Sequence, residues 1–284
     1  MEVKNICVLG AGVMGHGIAQ VCAQAGFNVT MRDITDELVQ EGLERIKKFL
    51  AGNVTRGKVT HEQMDATLLR LRTTTDLRKA VEGVELVIEA IVEDLNAKRE
   101  IFRQIDQICP PHVIFASNTS YMSITELAAS TKRRDRFIGM HWFNPPQIMR
   151  LIEIARGAET SDETVSTMVE VSKKLGKTPA VCQDSPGFVV NRILQPWYNE
   201  GMKLLQEGVA SAEDIDTAVR VGGGFRMGPL ELRDLVGLDT GLKGTMQIYE
   251  ALKNEKNKPP QVLIKKVQAG HLGRKTKKGF YDYE

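Results

Sequence analysis

The stretch KNICVLGAGVMGHGIAQVCAQAGFNVTMRD, residues 4–33, decides the fold of this 284-residue chain. Its short apolar run, residues 6–9, leads directly into a glycine-rich turn. Apolar residues then recur at helical spacing as far as Gly26, which predicts a helix that ends at that glycine. Residues 27–33 have the pattern of a second strand. Strand, glycine turn, helix and strand together predict the first unit of a parallel α/β sheet.

The turn itself has the pattern G-x-G-x-x-G. Glycines at this spacing allow a tight turn, a close approach of backbone to a pyrophosphate, and close packing of the helix on the strand. The N-terminus of the helix offers unpaired N–H groups and the positive end of its dipole to phosphates. In this strand–helix context the pattern predicts a dinucleotide site. Its residues are Gly10, Ala11, Gly12, Val13, Met14 and Gly15.

Asp33 ends the second strand about 20 residues further on, where an acidic side chain accepts a hydrogen bond from a ribose 2′-hydroxyl. A carboxylate there would repel the 2′-phosphate of NADP, so the sequence predicts NAD as the cofactor. Arg32, next to it, weakens this preference. The alternative is an ordinary strand–helix turn in which Asp33 caps the next helix.

Composition excludes several classes of function. Hydrophobic residues make up 42% and charged residues 26%, and the net charge of +2 gives no bulk attraction to nucleic acid or to a membrane surface. The four cysteines lack metal-ligand spacing, so we expect no metal site. No apolar run approaches the ~18 residues of a membrane span, and no signal-peptide pattern is present. We therefore expect a cytoplasmic protein.

The rest of the chain divides into two parts. Continuous apolar segments alternate with amphipathic helices, which predicts a mostly parallel, Rossmann-type sheet covered on both faces. Two helical patterns within residues 36–75 predict a helical hairpin inserted before the sheet resumes. Beyond QDSPGF, residues 183–188, helical spacing takes over. The sequence therefore predicts an NAD-binding α/β domain at 1–184 and an all-α domain at 185–284.

A histidine and a glutamate lie in two consecutive predicted strands. His141 ends the first strand, Glu153 lies in the second, and Pro145-Pro146 is expected to turn the chain back between them. Facing Cβ atoms on adjacent strands are about 5 Å apart. A carboxylate against one imidazole nitrogen leaves the other free to take the proton of an alcohol while hydride leaves for a nicotinamide. A purely structural buried ion pair is the alternative.

Seven motifs, in order along the chain, resemble those of the 3-hydroxyacyl-CoA dehydrogenase family, and especially of its bacterial 3-hydroxybutyryl-CoA dehydrogenases. They are GAGVMG (10–15), SNTS (117–120), GMHWFNPP (139–146), LIEI (151–154), SPGFVVNRIL (185–194), MGPLELRDLVGLD (227–239) and GRKTKKGFYDY (273–283).

The resemblance implies that His141 is the catalytic acid/base and Glu153 its orienting partner. It implies that Ser120 hydrogen-bonds the substrate's 3-oxygen near the cofactor, and that Asn191 reaches in from the helical domain to bind substrate. From the residues alone, Ser120 could instead cap the helix predicted at residues 123–129, and Asn191 could make a structural hydrogen bond.

The resemblance implies further cofactor contacts, each of which could instead be an exposed polar residue: Glu93, Lys98, Asn144 and Lys275. It implies that coenzyme A binds at the helical hairpin, with Lys58 as the residue we name; a solvated helix face is the alternative. The basic residues of the hairpin are Arg45, Lys47, Lys48, Arg56 and Lys58. The bulky Trp142 and Tyr121 could narrow the acyl pocket.

We therefore expect an NAD-dependent oxidoreductase that interconverts (S)-3-hydroxybutyryl-CoA and acetoacetyl-CoA in fatty acid and butanoate metabolism. The resemblance implies a homodimer formed through the helical domain, which also contributes to substrate binding. One rival is a gulonate-type 3-dehydrogenase, which shares much of the motif set but does not use coenzyme A. The other is a non-catalytic dinucleotide-binding or structural protein.

Overall fold

The computed structural model describes residues 2–284, and the chain divides between residues 185 and 186 into two compact units. The strands of the first unit are β1 (Asn5–Leu9), β2 (Asn28–Arg32), β3 (Leu71–Thr74), β4 (Leu86–Glu89), β5 (Ile114–Ser117), β6 (Phe137–Trp142), β7 (Leu151–Arg156) and β8 (Thr178–Gln183). They form one eight-stranded sheet in the order β3-β2-β1-β4-β5-β6-β7-β8.

Helices surround this sheet and build the second unit. Those of the first unit are α1 (Gly15–Gln24), α2 (Asp36–Thr55), α3 (His61–Leu69), α4 (Leu77–Ala80), α5 (Leu95–Ile108), α6 (Ile124–Ala128) and α7 (Asp162–Lys174). Those of the second unit are α8 (Val190–Gln206), α9 (Ala212–Gly223), α10 (Pro229–Val236), α11 (Leu238–Leu252) and α12 (Gln261–Gln268).

The central strands explain the continuous apolar segments of the sequence. Every residue of β4 and β5 is buried, because each strand has a parallel neighbour on either side and helices cover both faces. The strand order reverses at β1, between β2 and β4, and this topological switch point is where open α/β sheets bind ligands. The predicted fold class, a mostly parallel Rossmann-type sheet with a helical hairpin followed by an all-α unit, is confirmed.

One part of the predicted hairpin is wrong. The predicted helical patterns lie within residues 36–75, but α3 ends at Leu69, and Leu71–Thr74 is strand β3, which pairs in parallel with β2. The stretch from Leu71 contains three consecutive threonines, and β-branched residues favour strands over helices. β3 is short and only half-buried at the sheet edge, so it lacks the apolar pattern that identifies central strands.

Strands β6 and β7 form the antiparallel pair of an otherwise parallel sheet. Their register places His141 directly opposite Glu153. The prediction that the chain turns back near Pro145 and Pro146 is confirmed by this pairing.

The second unit has its own apolar core, and Asp234 on α10 ties the end of the chain to it. The Asp234 carboxylate accepts hydrogen bonds from the backbone N–H groups of Phe280 and Tyr281 and from the Tyr283 hydroxyl. The Tyr281 hydroxyl donates to Asp216 at 2.7 Å. These contacts give two of the seven motifs a structural role. No helix within residues 2–284 combines the length and apolar character that crossing a membrane requires.

Candidate active site

His141 and Glu153 are in direct contact inside the first unit. His141 Nδ1 lies 2.7 Å from Glu153 Oε2, and both residues are buried, with His141 4% exposed and Glu153 0%. A carboxylate only accepts hydrogen bonds, so Nδ1 carries the proton and donates it. This bond fixes the orientation of the ring and leaves Nε2 as the nitrogen that can exchange a proton with a ligand.

Nε2 of His141 faces Ser120. The distance from Ser120 Oγ to His141 Nε2 is 3.1 Å, and the Ser120 backbone N–H donates to Glu93 Oε1 at the same distance. The cap of α6 is Ser123, whose hydroxyl accepts from the Glu126 N–H, so the alternative in which Ser120 caps that helix is wrong. A hydroxyl next to an oriented imidazole is suited to hold the oxygen whose proton is transferred.

Each side chain of the segment Ser117–Ser120 has a specific partner. The Ser117 hydroxyl donates to Glu89 at 2.6 Å, and the Asn118 side-chain oxygen accepts from the Trp142 N–H at 2.9 Å. The Thr119 hydroxyl donates to Glu93 in a short hydrogen bond. Four consecutive polar residues therefore fasten the loop after β5 to its surroundings, which fixes the position of Ser120.

The glycine turn between β1 and α1 has two kinds of glycine. Gly10 has a φ of +99°, and an added Cβ would lie 2.5 Å from the Ala90 carbonyl oxygen. A Cβ at Gly15 would lie 1.8 Å from the Gly10 oxygen. A Cβ at Gly12 meets nothing within 4 Å, so the protein itself gives no steric reason for that glycine. Open space at Gly12 is the expected result where a ligand's phosphates approach the backbone.

The start of α1 lacks a side-chain cap, because its N-cap residue is Met14. Unpaired N–H groups at such a terminus favour an anion. Asp33 Oδ2 accepts from the Ala11 N–H at 2.7 Å and thus connects the end of β2 to the glycine turn. The cap of α2 is Thr35, so the alternative in which Asp33 caps that helix is wrong. These residues fit the phosphates and ribose of a dinucleotide.

Lys98 is buried, at 1% exposure, so the alternative of an exposed polar residue is wrong for it. Its ammonium nitrogen lies 2.5 Å from Glu89 Oε1 and 3.1 Å from Glu93 Oε2. Burial alone would lower the pKa of Lys98, but the two carboxylates outweigh burial and raise that pKa above its ordinary value. Burial would likewise raise the pKa of Glu93, but Lys98 and the hydrogen bonds from Thr119 and Ser120 hold it below its usual range.

Two of the remaining expected cofactor and substrate residues lie in the second unit. Asn191 is half-buried in the first turn of α8. The Lys275 ammonium nitrogen lies 2.6 Å from both carboxylate oxygens of Asp239. In the first unit, Asn144 is exposed just after β6.

Lys58 lies exposed in the turn between α2 and α3. Three of the other hairpin cations have partners close by in the chain: Arg45 contacts Glu41, Lys47 contacts Glu44, and Arg56 contacts Asn53. Within residues 2–284 the ammonium groups of Lys48 and Lys58 make no hydrogen bond or ion pair. The hairpin thus offers two uncompensated cations rather than five.

Trp142 does not face the site. It follows His141 in β6, and successive side chains of a strand point to opposite faces. Trp142 is 2% exposed and packs in the apolar core with Ile152 and Ile154. The expectation that Trp142 narrows an acyl pocket is therefore wrong.

Sequence reasoning also missed Glu89, which is 0% exposed at the end of β4. It accepts from the Lys98 ammonium, the Ser117 hydroxyl and the Ile91 N–H. The signal was present, because a carboxylate inside a continuous apolar strand must have buried partners.

Comparison with known proteins gives one consistent family. Residues 5–185 match a family model described as 3-hydroxyacyl-CoA dehydrogenase, NAD binding domain, and residues 187–283 match the one described as 3-hydroxyacyl-CoA dehydrogenase, C-terminal domain. A Bacillus subtilis protein named probable 3-hydroxybutyryl-CoA dehydrogenase is 46% identical over 284 residues, which is 100% of this chain and 99% of that protein.

Two further relatives agree. Human mitochondrial hydroxyacyl-coenzyme A dehydrogenase is 42% identical over 99% of this chain and 92% of that protein. A crystal structure of (S)-3-hydroxybutyryl-CoA dehydrogenase from Ralstonia eutropha has a TM-score of 0.96 at 44% identity, and the match covers 100% of both chains.

Proposed function

Because the chain belongs to the 3-hydroxyacyl-CoA dehydrogenase family, we propose that it interconverts (S)-3-hydroxybutyryl-CoA and acetoacetyl-CoA with NAD as the cofactor. The observation that carries the proposal is the contact row Ser120–His141–Glu153, with distances of 3.1 Å and 2.7 Å. It supplies a hydroxyl, a base and an orienting carboxylate, the groups that removal of an alcohol proton needs.

In the oxidation, His141 Nε2 accepts the proton of the substrate's 3-hydroxyl while the Ser120 hydroxyl holds that oxygen. NAD, when bound, accepts the hydride that leaves C3 and returns it in the reverse direction. Glu153 stabilises the imidazolium that forms, because the carboxylate is buried against Nδ1. In the reduction, the same imidazolium donates its proton to the oxygen on C3.

The cofactor proposal rests on the glycine turn. The backbone of residues 10–15 and the start of α1 receive the pyrophosphate, and Asp33 accepts from the adenosine ribose. Open space at Gly12 and the missing side-chain cap of α1 support this assignment. We assign Glu93, Asn144 and Lys275 to further contacts with the cofactor.

For the substrate, we assign Asn191 to the thioester end of the acyl group and Lys58 to a phosphate of coenzyme A. The absence of an ion-pair partner for the Lys58 ammonium within residues 2–284 supports its assignment.

We also propose a cytoplasmic homodimer formed through the second unit. Several of its apolar side chains are exposed, including Val221 at 80%, Ile193 at 64% and Phe225 at 49%. Exposed apolar patches are typical of subunit interfaces. Light scattering coupled to size exclusion measures the mass in solution, and a monomer at micromolar concentration would contradict this assembly.

The test of the activity is the loss of NADH absorbance at 340 nm with acetoacetyl-CoA. We expect turnover with the thioester and none with free acetoacetate. Gulonate with NAD is the comparison, because a gulonate-type enzyme would produce NADH from it without coenzyme A. NADH binding without turnover of any of these compounds would favour the non-catalytic rival.

A further inference from the structure

Three charged side chains form a buried row beside the catalytic pair. Glu89 is 0% exposed, Lys98 is 1% exposed, and the Glu93 side chain is 27% exposed. The Lys98 ammonium lies between the two carboxylates, at 2.5 Å from Glu89 and 3.1 Å from Glu93. Buried charges are costly unless each is paired, so the three side chains hold one another in place.

The row ends at the loop that carries Ser120. Glu93 Oε2 contacts Lys98, while Glu93 Oε1 accepts from the Thr119 hydroxyl and the Ser120 N–H. At the other end, Glu89 holds Ser117, the last residue of β5, where the same loop begins. Both carboxylates therefore fasten one four-residue segment, and Lys98 fixes the position of each carboxylate relative to the other.

The family resemblance implies that Lys98 contacts NAD, and the geometry gives its side chain a second role. Its nitrogen is enclosed and already serves two carboxylates, and its side chain is the connection between α5 and the end of β4.

We propose that Lys98 and Glu89 are positioning residues for proton transfer, which act through Glu93 and the 117–120 loop to hold the Ser120 hydroxyl against His141 Nε2. This rests on the proposed function, since it concerns the same proton. A hydroxyl displaced by about 1 Å can cost about 100-fold in rate. The network therefore matters for the chemical step.

The experiment is a double-mutant cycle of Lys98→Met and Ser120→Ala, measured as kcat for acetoacetyl-CoA reduction at saturating NADH. Lys98→Met alone is expected to lower kcat by about 10- to 100-fold. In the Ser120→Ala background it is expected to lower kcat by less than threefold, because the hydroxyl that it positions is gone. The Kd of NADH, from its fluorescence, is measured for each variant, so that any loss of cofactor binding is separated from the loss of kcat at saturating NADH.

Lys98→Met leaves two carboxylates without their cation, so the pair Glu89→Gln with Lys98→Met is the second variant. It removes one charge of each sign and keeps the net charge of the row. The same cycle with Ser120→Ala is then run on a protein whose folding is checked by circular dichroism. Arg133→Lys is the matched control, because Arg133 also forms a buried ion pair with a residue of α5, Asp106. It is expected to lower thermal stability while kcat stays within twofold.

Two results overturn the proposal. Equal losses in the wild-type and Ser120→Ala backgrounds would mean that the row does not act through Ser120. A rise of tenfold or more in the NADH Kd with an unchanged kcat would mean that the row serves cofactor binding and not the position of Ser120. If wild type does not reduce acetoacetyl-CoA, the proposed function itself has failed, which is a separate outcome.

Discussion

Replacement of Glu153 by Gln tests whether the proposed mechanism needs the negative charge next to His141. The amide has nearly the same shape as the carboxylate and can still accept from His141 Nδ1, which it meets at 2.7 Å in the native pair. Glu153→Gln therefore keeps the orientation of the ring and removes only the negative charge. A purely structural pair would show its effect in the free energy of unfolding, whereas a catalytic pair shows it in turnover.

The magnitude follows from the burial of both groups. Opposite unit charges about 4 Å apart attract by about 4 kcal/mol at an effective dielectric constant of about 20. The amide keeps a hydrogen bond worth about 1 kcal/mol. About 3 kcal/mol of imidazolium stabilisation is then lost, which corresponds to roughly 100- to 200-fold in rate.

The assay is steady-state kinetics at 340 nm in both directions, with the NADH Kd measured separately. We expect kcat/KM to fall by the same factor for oxidation and reduction, because the substitution cannot change the equilibrium constant of the reaction. The NADH Kd is expected to stay within threefold of wild type. A Glu153→Gln enzyme whose kcat is within threefold of wild type in either direction would refute the role of the carboxylate.

Three other substitutions test the cofactor and substrate sites. Gly12→Ala is expected to weaken NADH binding at least tenfold without changing Tm, because its Cβ meets no protein atom within 4 Å. Gly15→Ala is expected to lower Tm, since its Cβ would lie 1.8 Å from a carbonyl oxygen. Calorimetry of both variants checks this, and an unaltered NADH Kd in folded Gly12→Ala would contradict the phosphate site. Asp33→Ser is expected to raise the ratio of NADPH to NADH use at least tenfold, measured as kcat/KM for each cofactor, and an unchanged ratio would exclude Asp33 as the ribose acceptor. Lys58→Met is expected to raise the KM for acetoacetyl-CoA about three- to tenfold at low salt with kcat unchanged. Lys47→Met is the control, because the Lys47 ammonium is already paired with Glu44. Equal effects of the two substitutions would refute a specific contact between Lys58 and coenzyme A.

The sequence predicts those features that depend on local pattern. The glycine turn is one, because Gly10 and Gly15 each avoid a steric clash with backbone a few residues away or next to a neighbouring strand. The alternation of apolar strands and helices is another. The sequence did not predict strand β3. It is a short strand at the edge of the sheet, its residues are half-buried or exposed, and it has no continuous apolar run.

The buried row escaped prediction for a different reason. Glu89 and Lys98 are nine residues apart, one on a strand and one on a helix, and their contact depends on how α5 packs against the sheet. Sequence spacing does not encode that packing. Lys98 in particular looks like an exposed helical lysine, yet its ammonium is enclosed by carboxylates from two segments.

The contact between His141 and Glu153 depends on the one antiparallel pairing of neighbouring strands in the sheet that residues 2–284 form. In the antiparallel pair β6–β7, residues opposite each other share a face, so His141 and Glu153 meet with their side chains on the same side. A register slip of one residue would turn Glu153 to the face where Trp142 is packed and bring Ile154 or Ile152 opposite the histidine. The register of β6 and β7 therefore decides whether the two side chains meet. A glycine inserted after Gln147 can have two results. If the loop absorbs it as a bulge, activity is retained; if it shifts the register of β7, turnover is lost. Hydrogen exchange across β7 distinguishes the two. A shifted register with full activity would show that the contact between His141 and Glu153 is dispensable.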